Sequence, residues 1–438
     1  MSFPSRPGAA QAGNPVPRWY QGISRAQWLL LVVACIAWIF DSYASQIFNV
    51  TRGVMLGDIF HLKTGDPGIT FWGESFLSIS LAGGAVGGIF FGSLADRLGR
   101  RPAMILTILT FTVSCGLIGL AQSAWQVAVC RFFVCVGASG GWSVGAALVS
   151  EMFPPRSRAQ AGGIFHSTSA GGIWLAVLVG MAIGPRWRLG YLIGFVPIVL
   201  IFFVRTGVTE SQAWTEEAGQ AGSPKRGSLR ELLLVRPWWP RAILGMLLAS
   251  VGVGTYWCIT VGGQDLVQDF LMRRGVDAAT ALAKAQFDYG FLISGGSFVG
   301  SLLFGPFTQW LGRRKAFALA ILSGIAIVPA TWYLPRSYGE LMLMLPLYGI
   351  LTAGFHSGFA IYFPELFPTH LRGTGAGFCF NAGRLIAAVM LVFSGWLKSR
   401  HGLELREATC LLTLLYVPAL VCLWYLPETK GKKLAEIT

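Results

Sequence analysis

The chain has 438 residues and a formal net charge of +14, yet only 12% of its residues are charged while 54% are hydrophobic, including 16 Trp and 30 Phe. A chain this apolar and this long is not an ordinary soluble domain. The basic excess does not indicate nucleic acid, because no Lys/Arg-rich tract with interleaved aromatics is present to follow a phosphate backbone.

Taken in order, Met1–Arg25 is polar, rich in Pro and Gly, and lacks the apolar core of a cleavable signal. Twelve apolar blocks follow, each long enough to cross a hydrocarbon core of ~30 Å as a helix. The first six run near Gln27–Asn49, Trp72–Leu94, Ala103–Ala121, Trp125–Val149, Ala159–Ile183 and Leu189–Val204. After a polar, Gly-containing gap come Ala242–Val261, Ala285–Thr308, Ala316–Leu334, Leu341–Phe363, Gly373–Leu397 and Ala408–Tyr425. Continuous apolar runs mean helices, since barrel strands would alternate with a period of two. The expected fold class is therefore an all-α integral membrane protein with twelve transmembrane helices.

An even number of spans puts both termini on one side. Of the 34 Lys and Arg, 21 fall in terminus-side segments, 11 in the opposite loops and two within spans. The positive-inside rule then places both termini in the cytoplasm of a cell with a plasma or inner membrane. All eight cysteines lie in apolar blocks, so no disulfide framework is expected.

The chain is built twice. "GSLADRLGRRPAM" (Gly92–Met104) matches "GPFTQWLGRRKAF" (Gly305–Phe317), with Gly92, Gly99, Arg100 and Arg101 each 213 residues before Gly305, Gly312, Arg313 and Arg314. "EMFPPRSRAQAGG" from Glu151 matches "ELFPTHLRGTGAG" from Glu365 at a spacing of 214, pairing Glu151 and Arg158 with Glu365 and Arg372. Two motifs at one spacing imply two six-helix pseudo-repeats. The units are a tail (1–26), a first half (27–205), a linker (206–238), a second half (239–426) and a second tail (427–438). Such repeats are the usual architecture of secondary transporters, in which one half rocks against the other. The charged clusters cap the spans on the terminus side, where charge-assisted contacts can hold the halves together in one state. Asp96, Arg97, Arg100, Arg101, Glu151, Arg158, Arg313, Arg314, Glu365 and Arg372 are the expected gating residues. The plain alternative for the Arg-Arg pairs is a topology anchor beside a tight Gly turn. Asp96, replaced by Gln309 in the second copy, is the expected latch.

These residues resemble the major facilitator superfamily. "GSLADRLGRR" matches its Gly-x3-Asp-Arg-x-Gly-Arg-Arg signature in full, and Glu151, Arg158, Glu365 and Arg372 match its sugar porters and metabolite–proton symporters. "TESQAW" after the sixth span is similar to Pro-Glu-Ser-x-x-Trp, with Thr209 in place of the proline, and "PETKG" (Pro427–Gly431) matches the sugar-porter terminus. The resemblance implies alternating access without a cofactor, acting on a small-molecule substrate in the bilayer as a monomer.

A charge at the centre of a span costs ~2.5–3.5 kcal/mol on insertion scales, so it has a partner or a task. Asp41 lies ~21 Å from the terminus-side face and Arg131 ~9 Å from the opposite face, depths that coincide. The resemblance implies the same pair, since proton-coupled sugar porters carry an Asp in the first span and an Arg in the fourth. Burial favours the neutral acid and a nearby guanidinium the carboxylate. Moving Arg131 away lets Asp41 take a proton, so Asp41 and Arg131 are the expected proton-coupling pair; a static ion pair is the alternative.

Arg384, in the eleventh span, stands where sugar porters carry an aromatic residue, and His166 where they carry a sugar-binding Gln. Their double-Gln motif is absent from "VGVGTYWCITVGG" (Val251–Gly263). These departures favour an organic anion, because a fixed Arg holds a carboxylate through two parallel hydrogen bonds. "RWYQGISRAQW" (Arg18–Trp28) is also similar to sialate and lactate proton symporters. Arg384 could instead pair with Asp288 of the eighth span. His166, Asn381, Trp142, Tyr256, Trp257 and His356 complete the expected substrate site, with packed structural roles as the alternative for the histidines and aromatics.

Other classes fit less well. No Gly-x4-Gly-Lys-Ser/Thr is present for ATP drive, and no catalytic pair or metal-ligand cluster stands out, so an enzyme is not expected. A membrane ligand sensor would need an output domain larger than the linker. A neutral-sugar symporter and a drug exporter remain the other transport readings.

Overall fold

The protein was analysed as a computed structural model that describes residues 18–61, 67–219, 225–398 and 404–432. Among these residues, eleven helices are long and apolar enough to cross a membrane: Arg25–Phe60, Ser75–Leu98, Arg100–Leu120, Ala124–Met152, Pro155–Ile183, Trp187–Gly207, Trp238–Met272, Thr280–Leu311, Arg313–Tyr333, Tyr338–Glu365 and Leu405–Tyr425. The helix Arg372–Lys398 takes the remaining, eleventh place in chain order. The tails before Arg18 and after Lys432 lie outside the described residues.

Local chemistry sets the helix ends. Ser24 and Gln27 form a reciprocal capping box, which starts the first span at Arg25. That span continues eleven residues past the expected end at Asn49, because Thr51, Met55 and Leu56 stay buried at helical spacing, and it stops only where His61 turns left-handed. The seventh span likewise begins at Trp238 and reaches Met272. Both extensions lie where charged residues interrupt the apolar run without breaking its buried face.

Five spans carry irregular turns that the apolar runs do not reveal, among them short 3₁₀ turns at Val196–Val199 in the sixth and Thr413–Tyr416 in the twelfth. The seventh widens into a π-helical stretch at Tyr256–Val261 and the eighth at Asp288–Ile293, while the tenth tightens into a 3₁₀ turn at Gly354–His356. Such departures concentrate at functional sites, since they free backbone groups and re-aim side chains.

The halves meet on the terminus side, the second span against the eleventh and the fifth against the eighth. The first crossing depends on absent side chains: a Cβ on Gly92 would lie 2.4 Å from the Gly373 carbonyl, and one on Gly373 would lie 2.7 Å from that of Gly92. On the opposite side of the bundle, Trp174 Nε1 of the fifth span donates to the Gly290 carbonyl in the eighth span's π-helical stretch at 2.9 Å. The linker is not merely a polar spacer. It folds into two short helices, Gln212–Gly219 and Leu229–Leu234, between the halves.

Candidate functional site

Each Gly-Arg-Arg motif opens a helix. Gly99 and Gly312 precede the third and ninth spans with φ of 105° and 93°, a region that favours glycine. Their missing side chains leave room for a distant carboxylate. Glu210 of the linker accepts the N–H groups of Arg100 and Arg101 at 2.8 and 3.1 Å. Glu428 of the C-terminal segment accepts those of Arg313 and Arg314 at 2.9 and 3.1 Å. Both are anions on helix N-termini, where the dipole stabilises them. Burial pushes the Glu428 carboxyl up, but backbone N–H groups of Arg313, Lys430, Arg314 and Thr429 outweigh it and hold it below the usual carboxylate range. "TESQAW" and "PETKG", which look unrelated, thus do the same task in the two halves.

Beneath these caps each half repeats one ion cluster. Arg100 meets Glu151 at 2.8 Å and Arg313 meets Glu365 at 2.8 Å, both pairs fully buried within their own half. Each glutamate also takes an arginine from the other half, Arg372 on Glu151 at 2.7 Å and Arg158 on Glu365 at 3.6 Å. Asp96, which also meets Arg100 at 2.9 Å, reaches across as well, accepting the backbone N–H groups of Gly373 and Thr374 at 2.9 and 2.7 Å. Arg97 donates to the linker carbonyl of Gly227 at 3.1 Å, Arg101 to that of Arg205, and Arg314 to those of Leu423 and Trp424 at 2.8 Å. The structure therefore gathers the ten expected gating residues at one end, closed in this state.

Sequence reasoning missed the part the linker plays. Trp214 Nε1 donates to the Asp96 carbonyl at 2.8 Å. Gly227, in a left-handed turn, takes Ser93 Oγ of the first half on its carbonyl at 2.7 Å and donates its N–H to the His370 carbonyl of the second at 2.9 Å. The His370 ring lies between two linker carboxylates, Nδ1 at 3.1 Å from Glu217 and Nε2 at 2.9 Å from Glu231. A neutral imidazole donates from one nitrogen only, so two carboxylate partners call for the imidazolium. Burial alone would lower the His370 pKa; the two glutamates outweigh it and raise it above the ordinary value of 6.5.

Deeper in the bundle, Arg384 Nη1 donates to Ser139 Oγ of the fourth span at 2.6 Å, across the boundary between halves. Its guanidinium lies 4.8 Å from the centre of the Phe380 ring, and Phe380 stacks on Trp142 at 4.0 Å. Trp142 Nε1 donates to His166 Nδ1 at 3.1 Å. An indole N–H can only donate, so the His166 hydrogen sits on Nε2. Asn381, one turn before Arg384, donates to Ser143 Oγ and the Gly377 carbonyl at 3.3 and 3.0 Å. Arg384, His166, Asn381 and Trp142 thus form one group between the halves.

The alternative partner for Arg384 is engaged elsewhere: Asp288 accepts from Tyr338 at 2.9 Å, and no ion pair joins it to Arg384 among the described residues. Tyr256 packs edge-on to His356 at 5.2 Å and to Trp257 at 5.7 Å. Both His356 nitrogens face carbonyls, Ala353 at 2.8 Å and Gly252 at 2.9 Å; a neutral ring donates to one of the two, and with its hydrogen on Nε2 it ties the break in the tenth span to the seventh.

Asp41 and Arg131 do not pair in this state. Arg131 donates to Ser80 Oγ and the Ala44 carbonyl, both at 3.1 Å, and lies over the Phe48 ring at 4.4 Å. Ala44 is one turn beyond Asp41, so the depths agree only to about a turn, ~4.5 Å. Asp41 is buried, and its Oδ1 has no hydrogen-bond partner. Beside it is a cavity about the size of one water, lined by Trp38, Thr107, Phe111, Gly141 and Phe165.

Comparison with known proteins bears on the family and the fold. The Major Facilitator Superfamily model matches residues 30–283. The chain is 30% identical to a probable 4-methylmuconolactone transporter of Cupriavidus pinatubonensis, over 96% of this chain and 95% of that protein. It is 26% identical to the sialic acid transporter NanX of Escherichia coli, over 88% of this chain and 91% of that one. Among solved structures it superimposes on the proton:xylose symporter XylE with a TM-score of 0.73 and 16% identity, covering 95% of this chain and 99% of XylE, which supports the fold. With its twelve helices in two equivalent halves, the chain belongs to the Major Facilitator Superfamily of membrane transporters.

Proposed function

We propose that this protein carries a small organic anion, a carboxylate, together with protons, by alternating access in a plasma or inner membrane with both termini in the cytoplasm. The observation that carries the anion is Arg384. Its guanidinium stands between the halves with a serine hydroxyl and an aromatic ring as neighbours, and no carboxylate pairs with it among the described residues. A buried cation without a counterion is costly. A substrate carboxylate that displaces the Ser139 contact supplies the missing charge through two parallel N–H donors. His166 Nε2–H offers a further donor, and Trp142 and Phe380 a flat apolar wall. The relative that transports sialic acid, an acid, supports the same class.

Asp41 is the site of the coupling proton. It is buried, has an oxygen free of any partner, and adjoins a water-sized cavity. As the halves rock, Arg131 can approach Asp41 and favour its carboxylate, releasing the proton. Asp96 and the Glu151–Arg372 and Glu365–Arg158 pairs close the cytoplasmic end, and the linker adds its own contacts across that seam.

Uptake into proteoliposomes, with a panel of small carboxylates and neutral sugars and with or without a pH gradient, tests this reading. Accumulation of a carboxylate that collapses with the gradient supports it. Gradient-independent equilibration would leave a uniporter, and uptake of sugars alone would replace the anion.

A further inference from the structure

Just before the seventh span, the linker runs "LRELLLVRPWWPR" from Leu229 to Arg241. Leu232 is buried, but Leu234 is 68% exposed, and Leu233, Val235 and Trp239 are exposed beside it. Exposed apolar residues between arginines, at the mouth of a span, suit the boundary between headgroups and acyl chains rather than water. Tyr425, 71% exposed, and Trp424 end the twelfth span at the same level and supply interfacial aromatics.

Between these two span ends lies a groove of about 460 Å³, with Arg236, Arg241, Pro240, Leu244, Tyr425 and Pro427 in its lining. Arg241 is held in place, its Nη1 donating to the Leu366 carbonyl at 3.1 Å and its guanidinium 5.2 Å from the centre of the Trp238 ring. Arg236 is exposed. The lining of the groove therefore combines two guanidiniums with the apolar Pro240, Leu244 and Tyr425, the last of them largely exposed.

We propose that this groove binds an anionic glycerophospholipid of the terminus-side leaflet, its phosphate between Arg236 and Arg241 and its chains along Leu244 and Tyr425. A free phosphate would meet the arginines but leave Pro240, Leu244 and Tyr425 wet; a lipid satisfies both parts. A zwitterionic headgroup would bring its own cation against two guanidiniums, so the charge of the groove selects an anionic one. Because Arg241 also holds the Leu366 carbonyl, next to the buried Glu365 cluster, an occupied groove steadies the second half's terminus-side end.

Native mass spectrometry of the purified full chain tests this, titrating phosphatidylglycerol against phosphatidylcholine with the same acyl chains. Phosphatidylglycerol adducts should dominate. Arg236→Gln and Arg241→Gln should each lower its occupancy about fivefold, the effect of one basic residue near an anionic surface. Arg230→Gln, an exposed linker arginine outside the groove, should leave it unchanged. Arg236 is exposed, so its replacement bears on binding even if Arg241→Gln perturbs folding. Equal binding of the two lipids, an Arg236→Gln protein that keeps its preference, or displacement of the lipid by millimolar inorganic phosphate would overturn the proposal.

Discussion

Asp96 of the first half and Thr374 of the second are joined twice, because one carboxylate oxygen takes both the Thr374 backbone N–H, at 2.7 Å, and its hydroxyl. The equivalent pair in the other seam is Gln309 and Gln160, and it is not joined. Gln309 accepts from Arg313 of its own half at 3.2 Å, and Gln160 Oε1 has no partner. The two seams are alike in glutamate and arginine but unlike here, so Asp96 is the asymmetric part of the closure.

Asp96→Asn should therefore bias the protein toward the state open on the terminus side. It removes a charge that accepts from an N-terminal turn, where each charged hydrogen bond contributes ~1.5–3 kcal/mol, and population shifts need only a few kcal/mol. A reporter cysteine at Ser143 in a cysteine-free background should label faster from that side. Unchanged labelling would reduce the cluster to a topology anchor.

The linker clamp should be pH-dependent. His370 has its pKa raised in the closed state, so its contribution is complete below the ordinary value of 6.5 and is lost as pH rises through the raised value. The groups on its ring are Glu217 and Glu231 of the linker helices; the charges on the adjacent backbone and side chains are Arg100 of the third span and Arg372 of the eleventh on Thr369, Asp96 of the second on Gly373, and Arg97 of the second on Gly227. Terminus-side labelling of the same reporter should increase as pH rises above 6.5, and His370→Gln should flatten that profile. A His370→Gln protein with the wild-type profile would remove His370 from the clamp.

Asp41→Asn should abolish uphill uptake driven by a pH gradient while leaving substrate exchange measurable. Removing the titratable group removes coupling without removing the Arg384 group that binds. Wild-type accumulation by this variant would show that the proton travels elsewhere.

Much of the architecture was legible in the residues. The apolar runs located the twelve spans, and the spacing shared by Arg100–Arg313 and Glu151–Glu365 anticipated two equal clusters, because a repeat preserves geometry. Other features depend on contacts that one chain does not spell out. Nothing around His370 marks it, since its two glutamates come from a linker 139 and 153 residues away. Matched depth placed Asp41 near Arg131 but could not fix azimuth about a helix, and Arg131 turned to Ala44 and Ser80 instead. The π-helical stretches at Tyr256 and Asp288 leave the apolar pattern almost unchanged, so a run of hydrophobic residues does not disclose them.

The most direct test of the account is binding of a small carboxylate and of its neutral amide to the purified protein and to Arg384→Lys. Lysine keeps the charge but loses the planar two-point contact. Wild-type protein should prefer the acid, and Arg384→Lys should weaken its binding by ~1.5–3 kcal/mol, roughly ten- to a hundredfold, with its melting temperature nearly unchanged because Arg384 has no ion pair with Asp288 to lose. Equal affinity of wild-type protein for acid and amide would contradict the organic-anion reading and return a neutral substrate to first place.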